Sequence, residues 1–556
     1  MAGLVLALGR RAGWAQAVVR ELTPKLSHYE WLRARIFESD HFALSLVQHR
    51  NVEPAVWDTD GTSQVVVFGE YLHECGDRVG DDVRAHVAAA RWSALRNGNG
   101  LYNLIHWESR CRRLVLANDA IGALLLFRAN YREGCVWSSE PGALPPAGAL
   151  DVAGLRSLIA IGYQADGRTL DEEIKVMPPA TTEVVRLTAS GIRHERHTGL
   201  PDAADSEPHD AAFARLFHDA VTARLPASGQ VYLPITGGLD SRLLLAETLA
   251  AGCVARTFTS AVGNPRDVRL AQRIAKIAGV EHRILPPQRP HLRRHGSLLR
   301  GALHTTSDWH VAQQLDICGA ASPGNPLLLG FLGGTVTGAF VDSQGAEVGI
   351  ARMRANALAP YPSVDDASLI AWYEAPDVSA RPTVAELIEN LYGRQRRYIS
   401  YLVRLAWNFG RPICPFADVR LLQHALAARR EWLAGQRVRG RTLRRINPSL
   451  AQVATTNDDM EVGPPLQRRL RNIIRHTRVM RPVKAIMPLR LSFDYYERLR
   501  PLADECAASL TGLSAQRILA GRSPMAVLAL APVLLEEEHH ELTRSADLIE
   551  SILGQR

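Results

Sequence analysis

The sequence lacks paired cysteines: its seven cysteines stand far apart and none forms a CxxC unit. That excludes a zinc ribbon or a disulfide scaffold and points to a reducing compartment. Long apolar runs are also missing. None approaches the roughly 18 residues that span a membrane. The short apolar opening MAGLVLALG precedes its arginines, the reverse of a secretory signal. A cytoplasmic protein with no membrane contact is expected. The 19 histidines include no HExxH or comparable metal spacing. Basic residues outnumber acidic ones, 65 to 57, for a net charge of +8, yet they fall in scattered groups such as 441–445 and 468–471. A nucleic-acid footprint needs a clustered basic face, so nucleic acid is not the expected partner. Internal repeats and low-complexity tracts are absent too.

What is present divides in two. A chain of 556 residues is too long for one ordinary core, and 46% hydrophobic with 22% charged residues suits globular folding. Between 40 and 190 run short β-rich segments separated by turns: HFALSLV (41–47), SQVVVFGEYL (63–72), GLYNLIHWE (100–108), RRLVLAND (112–119), GALLLFRA (122–129) and CVWSSE (135–140). These predict a sheet sandwich with little helix. The polar stretch GLPDAADSEPHD (199–210) reads as a linker. From 211 helices and strands alternate, which predicts βαβ units and a parallel sheet. Beyond about 350, helical patterns dominate.

Between strand VYLPI and a helix beginning near Asp240 lies Thr236-Gly237-Gly238-Leu239-Asp240-Ser241. Glycines there let backbone N–H groups converge on a phosphate at a helix N-terminus. Thr236 and Ser241 offer hydroxyl donors. Asp240 would repel a phosphate alone, and makes sense holding a Mg²⁺ that bridges to phosphate oxygens. The loop has neither the length nor the lysine of GxxxxGK[ST].

TGGLDS resembles the SGGxDS pyrophosphate loop of the asparagine synthetase-like ATP pyrophosphatases, with Thr236 keeping the usual serine's hydroxyl. The likeness spans roughly 40–500. TFTSA, then DVRLAQRIAKIAGVEH with His282, look like the family's next strand and helix. Residues 396–426 look like its helix and P-F-x-D segment, with Asp418 in the acid's place, and 441–458 resembles a further stretch. In the first half, 96–144 resembles the family's glutaminase domain, with Asp119, Gly122, Ser138 and Glu140 at motif positions, and 167–181 its closing loop.

The resemblance implies a fold of α/β plus N-terminal α+β class. An N-terminal nucleophile-hydrolase-like β-sandwich (1–200, a degenerate glutaminase) would precede a parallel-sheet ATP pyrophosphatase domain (211–500) and a helical C-terminal extension (501–556). It implies ATP and Mg²⁺ as cofactors. Thr236, Gly237, Gly238, Leu239, Asp240 and Ser241 would bind pyrophosphate, with Asp240 on the metal. Phe258, Thr259 and Ser260 would flank adenine, and Gly330 and Gly333 would belong to a second loop. Lys484, in VMRPVKAIMPLR, is the candidate base, and a solvated surface lysine is the alternative.

Two departures shape the expected function. A working glutaminase of this kind begins with cysteine after Met1, the thiol acting as nucleophile and the free amine as base; here the residue is Ala2, and the first cysteine is Cys75. In LLLGFLGGTVTGAF (327–340) an acid normally follows the glycines, where this chain has Gly334 and Thr335; Asp342 and Asp308 are nearby acids that could compensate. By resemblance to β-lactam synthetases and lasso-peptide cyclases, the expectation is an amide-forming ligase. It would adenylate a carboxylate, release pyrophosphate, and join the acyl group to an amine carried by a small-molecule or peptide substrate, with a partner protein delivering any precursor peptide. An asparagine synthetase using free ammonia and a non-catalytic nucleotide-binding protein remain as alternatives. A tRNA-modifying pyrophosphatase fits less well, because the chain has an N-terminal sandwich and no paired catalytic cysteines.

Overall fold

A computed structural model describes residues 2–52, 55–59, 62–72, 79–165, 167–205, 207–261, 265–304, 306–320, 324–358, 384–456, 499–510, 518–519 and 522–540. The chain is a mixed α/β structure with two antiparallel sheets and one parallel sheet.

The first half contributes twelve strands. They begin with β1 (Gly3–Gly9), β2 (Leu32–Ser39), β3 (Phe42–His49), β4 (Ala55–Thr59) and β5 (Ser63–Gly69). Next come β6 (Tyr102–Glu108), β7 (Arg113–Asn118), β8 (Phe127–Tyr131) and β9 (Gly134–Ser138), then β10 (Lys175–Val176), β11 (Thr181–Thr188) and β12 (Gly191–Thr198). One sheet runs β10-β8-β9-β1-β3-β2 and the other β12-β11-β7-β6-β5-β4. In β1, Leu4, Leu6 and Leu8 point into the space between the sheets. Val5 and Ala7 face the other way, against helix α1 (Trp14–Leu22). A strand covered on both faces reads as one unbroken apolar run, which is why its opening residues carry no alternation.

Helices α2 (Val79–Ala88) and α3 (Trp92–Arg96) cover the second sheet through Val83, Val87 and Leu95. With α4 (Val152–Ile161) the first half holds more helix than its strand-rich sequence predicts. The segment read as one strand over 122–129 becomes strand only at Phe127. Before it, Gly122 adopts φ +60° in a turn held by the Asp119 carboxylate, which leaves those apolar residues buried without a strand partner.

The second half builds a five-stranded parallel sheet from β13 (Gln230–Pro234), β14 (Val254–Ser260), β15 (His282–Leu285), β16 (Pro326–Leu328) and β17 (Arg411–Ile413). Helices α5 (Asp210–Thr222), α6 (Asp240–Ala250) and α7 (Pro265–Ala278) belong to it. The strand order β15-β14-β13-β16-β17 reverses direction between β13 and β16. In open parallel sheets that switch point opens a crevice beyond the strands' C-terminal ends. Downstream, helices Arg500–Ala508 and Pro524–His540 pack together. No helix among the described residues is long and apolar enough to cross a membrane.

Three buried arginines join the halves. Arg224 bridges Glu70 and Asp418, at 2.9 Å each, and donates to Asn99. Arg396 donates to the carbonyls of Gly122 and Met177, and Arg397 to those of Gln164 and Arg168.

Candidate functional site

β13 buries Val231 and Leu233 on alternate positions, and Ile235 continues that burial just past its end. The chain then turns into α6, whose residues 242–248 are all buried. Its first N–H groups have no intrahelical acceptor, as at any helix start. In the loop, Ser241 Oγ accepts from Thr236 N–H (3.3 Å) and Thr236 Oγ1 from Gly238 N–H (3.1 Å). Each hydroxyl therefore keeps its own proton to donate. Asp267, in the first turn of α7, accepts the Gly237 N–H at 3.0 Å. A Cβ on Gly237 would stand 2.7 Å from Leu270 and 2.8 Å from both Asp267 and Thr456, so only glycine fits.

The loop is pinned from far downstream. Arg242 is fully buried and donates to the carbonyls of Gly237, Val453 and Ala454. Thr455 Oγ1 donates to Gly237 O at 2.9 Å. Of the stretch 441–458, residues 453–456 thus hold the loop, and 457–458 lie outside the described residues.

Between the ends of β13 and β16 lies a cavity of about 570 Å³. Thr236, Gly238, Leu239, Asp240, Ser241, Phe258, Thr259 and Gly330 line it. Gly237 and Gly333 do not, but both shape it. A Cβ on Gly333 would lie 2.5 Å from Asp240 Cγ, so that glycine lets the acid stand where it does. Thr259 gives its hydroxyl proton to Ile235 O at 2.6 Å. Lys484 lies outside the described residues.

Asp240 forms an ion pair with Arg439, Oδ1 to Nη1 at 2.7 Å. Among the described residues no group of three or more His, Cys, Asp or Glu is placed to hold a metal. Asp267 is a second carboxylate on the cavity wall; Mg²⁺ needs only one or two carboxylates beside phosphate oxygens and water, so the donor set suits that ion. Asp342 and Asp308 do not line the cavity. Asp342 is held by Arg352 and Gln344, and Asp308 by His310 and Tyr398. Thr335 is buried with its Oγ1 accepting from Asn390.

Asp418 and Asp119 serve elsewhere. Asp418 is fully buried; burial alone would raise its pKa, but hydrogen bonding from Arg420, the Arg224 charge and Asn99 hold it to about 2. Asp119 accepts the N–H groups of Tyr102, Ile121 and Gly122, and burial still pushes its carboxyl up to about 6. His282 meets Thr257 at 3.0 Å, away from the cavity.

Sequence reasoning missed Asp267 and Arg439 as neighbours of the loop, and His310 entirely. His310 lines the cavity, and its Nδ1 stands 2.5 Å from Asp308 Oδ1. The motif offers no sequence signal, because His310 only opens a single 3-10 turn (His310–Gln314) just after Asp308, and Tyr398 is 88 to 90 positions away.

In the first half, Ala2 donates its backbone N–H to Val47 O (2.8 Å). The space beside it, walled by Leu124, Leu125 and Trp407 among others, measures about 20 Å³. That is room for about one water, not for an amino-acid side chain.

No family model and no curated protein matches the chain. Among solved structures it is similar to the glutamine phosphoribosylpyrophosphate amidotransferase of B. subtilis complexed with ADP and GMP, at 11% identity and TM-score 0.25, over 60% of this chain and 77% of that one. A structure of the allosteric regulatory enzyme of purine biosynthesis is similar at 11% identity and TM-score 0.24, over 51% of this chain and 80% of that one. Likeness at this level assigns no activity to the chain.

Proposed function

We propose that the cavity binds ATP and that the protein is an amide-forming ligase, activating a carboxylate as its adenylate with release of pyrophosphate before an amine attacks. One observation carries the reading: the TGGLDS loop and the N-terminus of α6 open into a cavity of about 570 Å³ at the sheet's switch point. The N–H groups at the start of α6 and the hydroxyls of Thr236 and Ser241 would hold the β- and γ-phosphates. Phe258 and Phe331 give apolar wall for the base. Fixed donors aimed at the departing pyrophosphate would lower the barrier by stabilising charge as it develops.

Mg²⁺, when bound, would be held by Asp240 and the phosphates, with Asp267 as the second acid, and would neutralise charge there. Arg439 beside Asp240 adds a positive charge that needs no ion. The tight surroundings of Ala2 favour an amine brought by the substrate over ammonia drawn from glutamine. The substrate would be a small molecule or peptide with both groups, a peptide arriving with a carrier protein.

The test is ATP–pyrophosphate exchange across candidate carboxylates. Exchange that falls at least 100-fold in Asp240→Ala, as loss of a charge-positioning group does, is expected. Absence of both exchange and ATP binding in the unaltered protein would overturn the reading. The Asp240–Arg439 pair favours one second reading, nucleotide binding without catalysis. ATP bound by calorimetry with no exchange would select it.

A further inference from the structure

We propose that His310 is the general base of the amide-forming step, oriented by Asp308, an inference that rests on the ligase reading above. The imidazole is set as a base is set in hydrolases: one nitrogen meets a buried carboxylate, and the ring lines the cavity. Asp308 is fully buried and His310 is only 15% exposed. His310 Nδ1 donates to Asp308 Oδ1 at 2.5 Å, and the Asp308 carboxylate also accepts the His310 backbone N–H at 3.1 Å. Tyr398 fixes the arrangement from the far side. Its hydroxyl donates to Asp308 Oδ2 at 3.1 Å, and its ring stacks on the imidazole with centroids 5.0 Å apart. Asp308 is itself anchored, its N–H donating to Gly162 O at 2.8 Å.

With Nδ1 committed to the carboxylate, Nε2 carries the lone pair, and it has no hydrogen-bond partner among the described residues. A second buried histidine–carboxylate pair shows what a purely structural one looks like. His28 gives Nε2 to Glu140 at 2.7 Å and Nδ1 to Ser297 at 2.9 Å, leaving no nitrogen to act. His310 differs in lining the same cavity as Thr236, Asp240 and Ser241.

The step balances without a further reactant. A protonated amine has no lone pair, so it first gives one proton to His310 Nε2. Its nitrogen then bonds to the acyl carbon, and the bond from that carbon to the phosphate oxygen breaks with its electron pair leaving on AMP. The second proton of the nitrogen passes to the departing phosphate or to solvent. The imidazolium formed is stabilised by Asp308 and returns its proton to solvent. His310 takes no part in forming the adenylate, so the two half-reactions should separate.

That separation is the test, run on the full chain with His310→Ala and His310→Gln. The carboxylate probes are the free amino acids with Mg²⁺ and ATP. The nucleophile probes are methylamine, protonated at neutral pH, and hydroxylamine, which is not. His310 variants should keep ATP–pyrophosphate exchange within roughly threefold and form hydroxamate normally, while methylamide formation falls on the order of 100-fold or more. Exchange and both nucleophile reactions falling together would mark His310 as structural and overturn the inference, as would methylamide formation that does not fall. Absence of exchange in the unaltered protein would instead count against the ligase reading, before any variant is compared.

Discussion

Two cavities at strand ends, one beside β1 where the halves meet and one in the second half, differ almost thirtyfold in size. Beside the start of β1 about 20 Å³ remains, walled by Leu124, Leu125 and Trp407 together with Glu140 and Arg404. Past the ends of β13 and β16 about 570 Å³ opens, with hydroxyls, carboxylates and glycines at the loop and apolar wall such as Phe258, Phe331 and Leu402 around them. The cause is topological. β1 lies in the middle of its sheet with a second sheet on one face and α1 on the other, so side chains crowd in from both faces. β13 and β16 are also central, but the strand order reverses between them, and a crevice stays open there. A central strand thus yields a site only where the chain's order reverses around it.

The clasp between the halves offers the largest way to break this comparison. Asp418→Ala leaves buried Arg224 with Glu70 as its remaining carboxylate partner in this clasp. Removing one member of a buried ion network costs about 3–5 kcal/mol, and denaturant unfolding should register that loss. A change under about 1 kcal/mol would mean that the halves stand without the clasp.

Gly333→Ala sharpens the open end. Its Cβ would lie 2.5 Å from Asp240 Cγ. The displaced acid should cut ATP–pyrophosphate exchange on the order of 100-fold, while circular dichroism shows the fold retained. Unchanged exchange would show that Asp240's position is not critical.

The smallest effect is acid sensitivity. Asp418's pKa is lowered to about 2, so its contribution is full above the unfolded value near 4 and lost as pH falls toward 2. At about 1.4 kcal/mol per unit this is about 3 kcal/mol. Asp119's pKa is raised to about 6, so its contribution is present at low pH and lost as pH rises through 6. Unfolding free energy measured against pH should lose its acid limb in Asp418→Asn and its limb near pH 6 in Asp119→Asn. Coincident curves for the two variants would refute the opposite signs.

The loop, its flanking strand and α6 were legible because glycines, a β-rich run and a helical run punctuate the sequence at once. β1 was not, since GLVLALG is apolar on both faces and shows no period of two. The 122–129 segment misled for a related reason: its apolar residues are buried by a turn rather than by pairing. Arg439 and His310 escaped notice because their partnerships arise from folding. Arg439 lies 199 positions from Asp240, and Tyr398 lies 90 from Asp308. Asp308 itself was noticed, but for a metal, when its carboxylate is engaged by imidazole and phenol. Lys484 falls outside the described residues.

Arg242 sets a schedule for the chain's own synthesis. Its acceptor at Val453 lies 211 residues downstream. At about 5–20 residues per second, a ribosome takes roughly 10–40 s to travel that distance. Throughout that interval the arginine destined for the interior has no Val453 or Ala454 carbonyl to bind, and the glycine turn has no lock. The nascent sheet can assemble early, but its phosphate-holding geometry becomes a late event, completed only when the chain reaches the mid-450s.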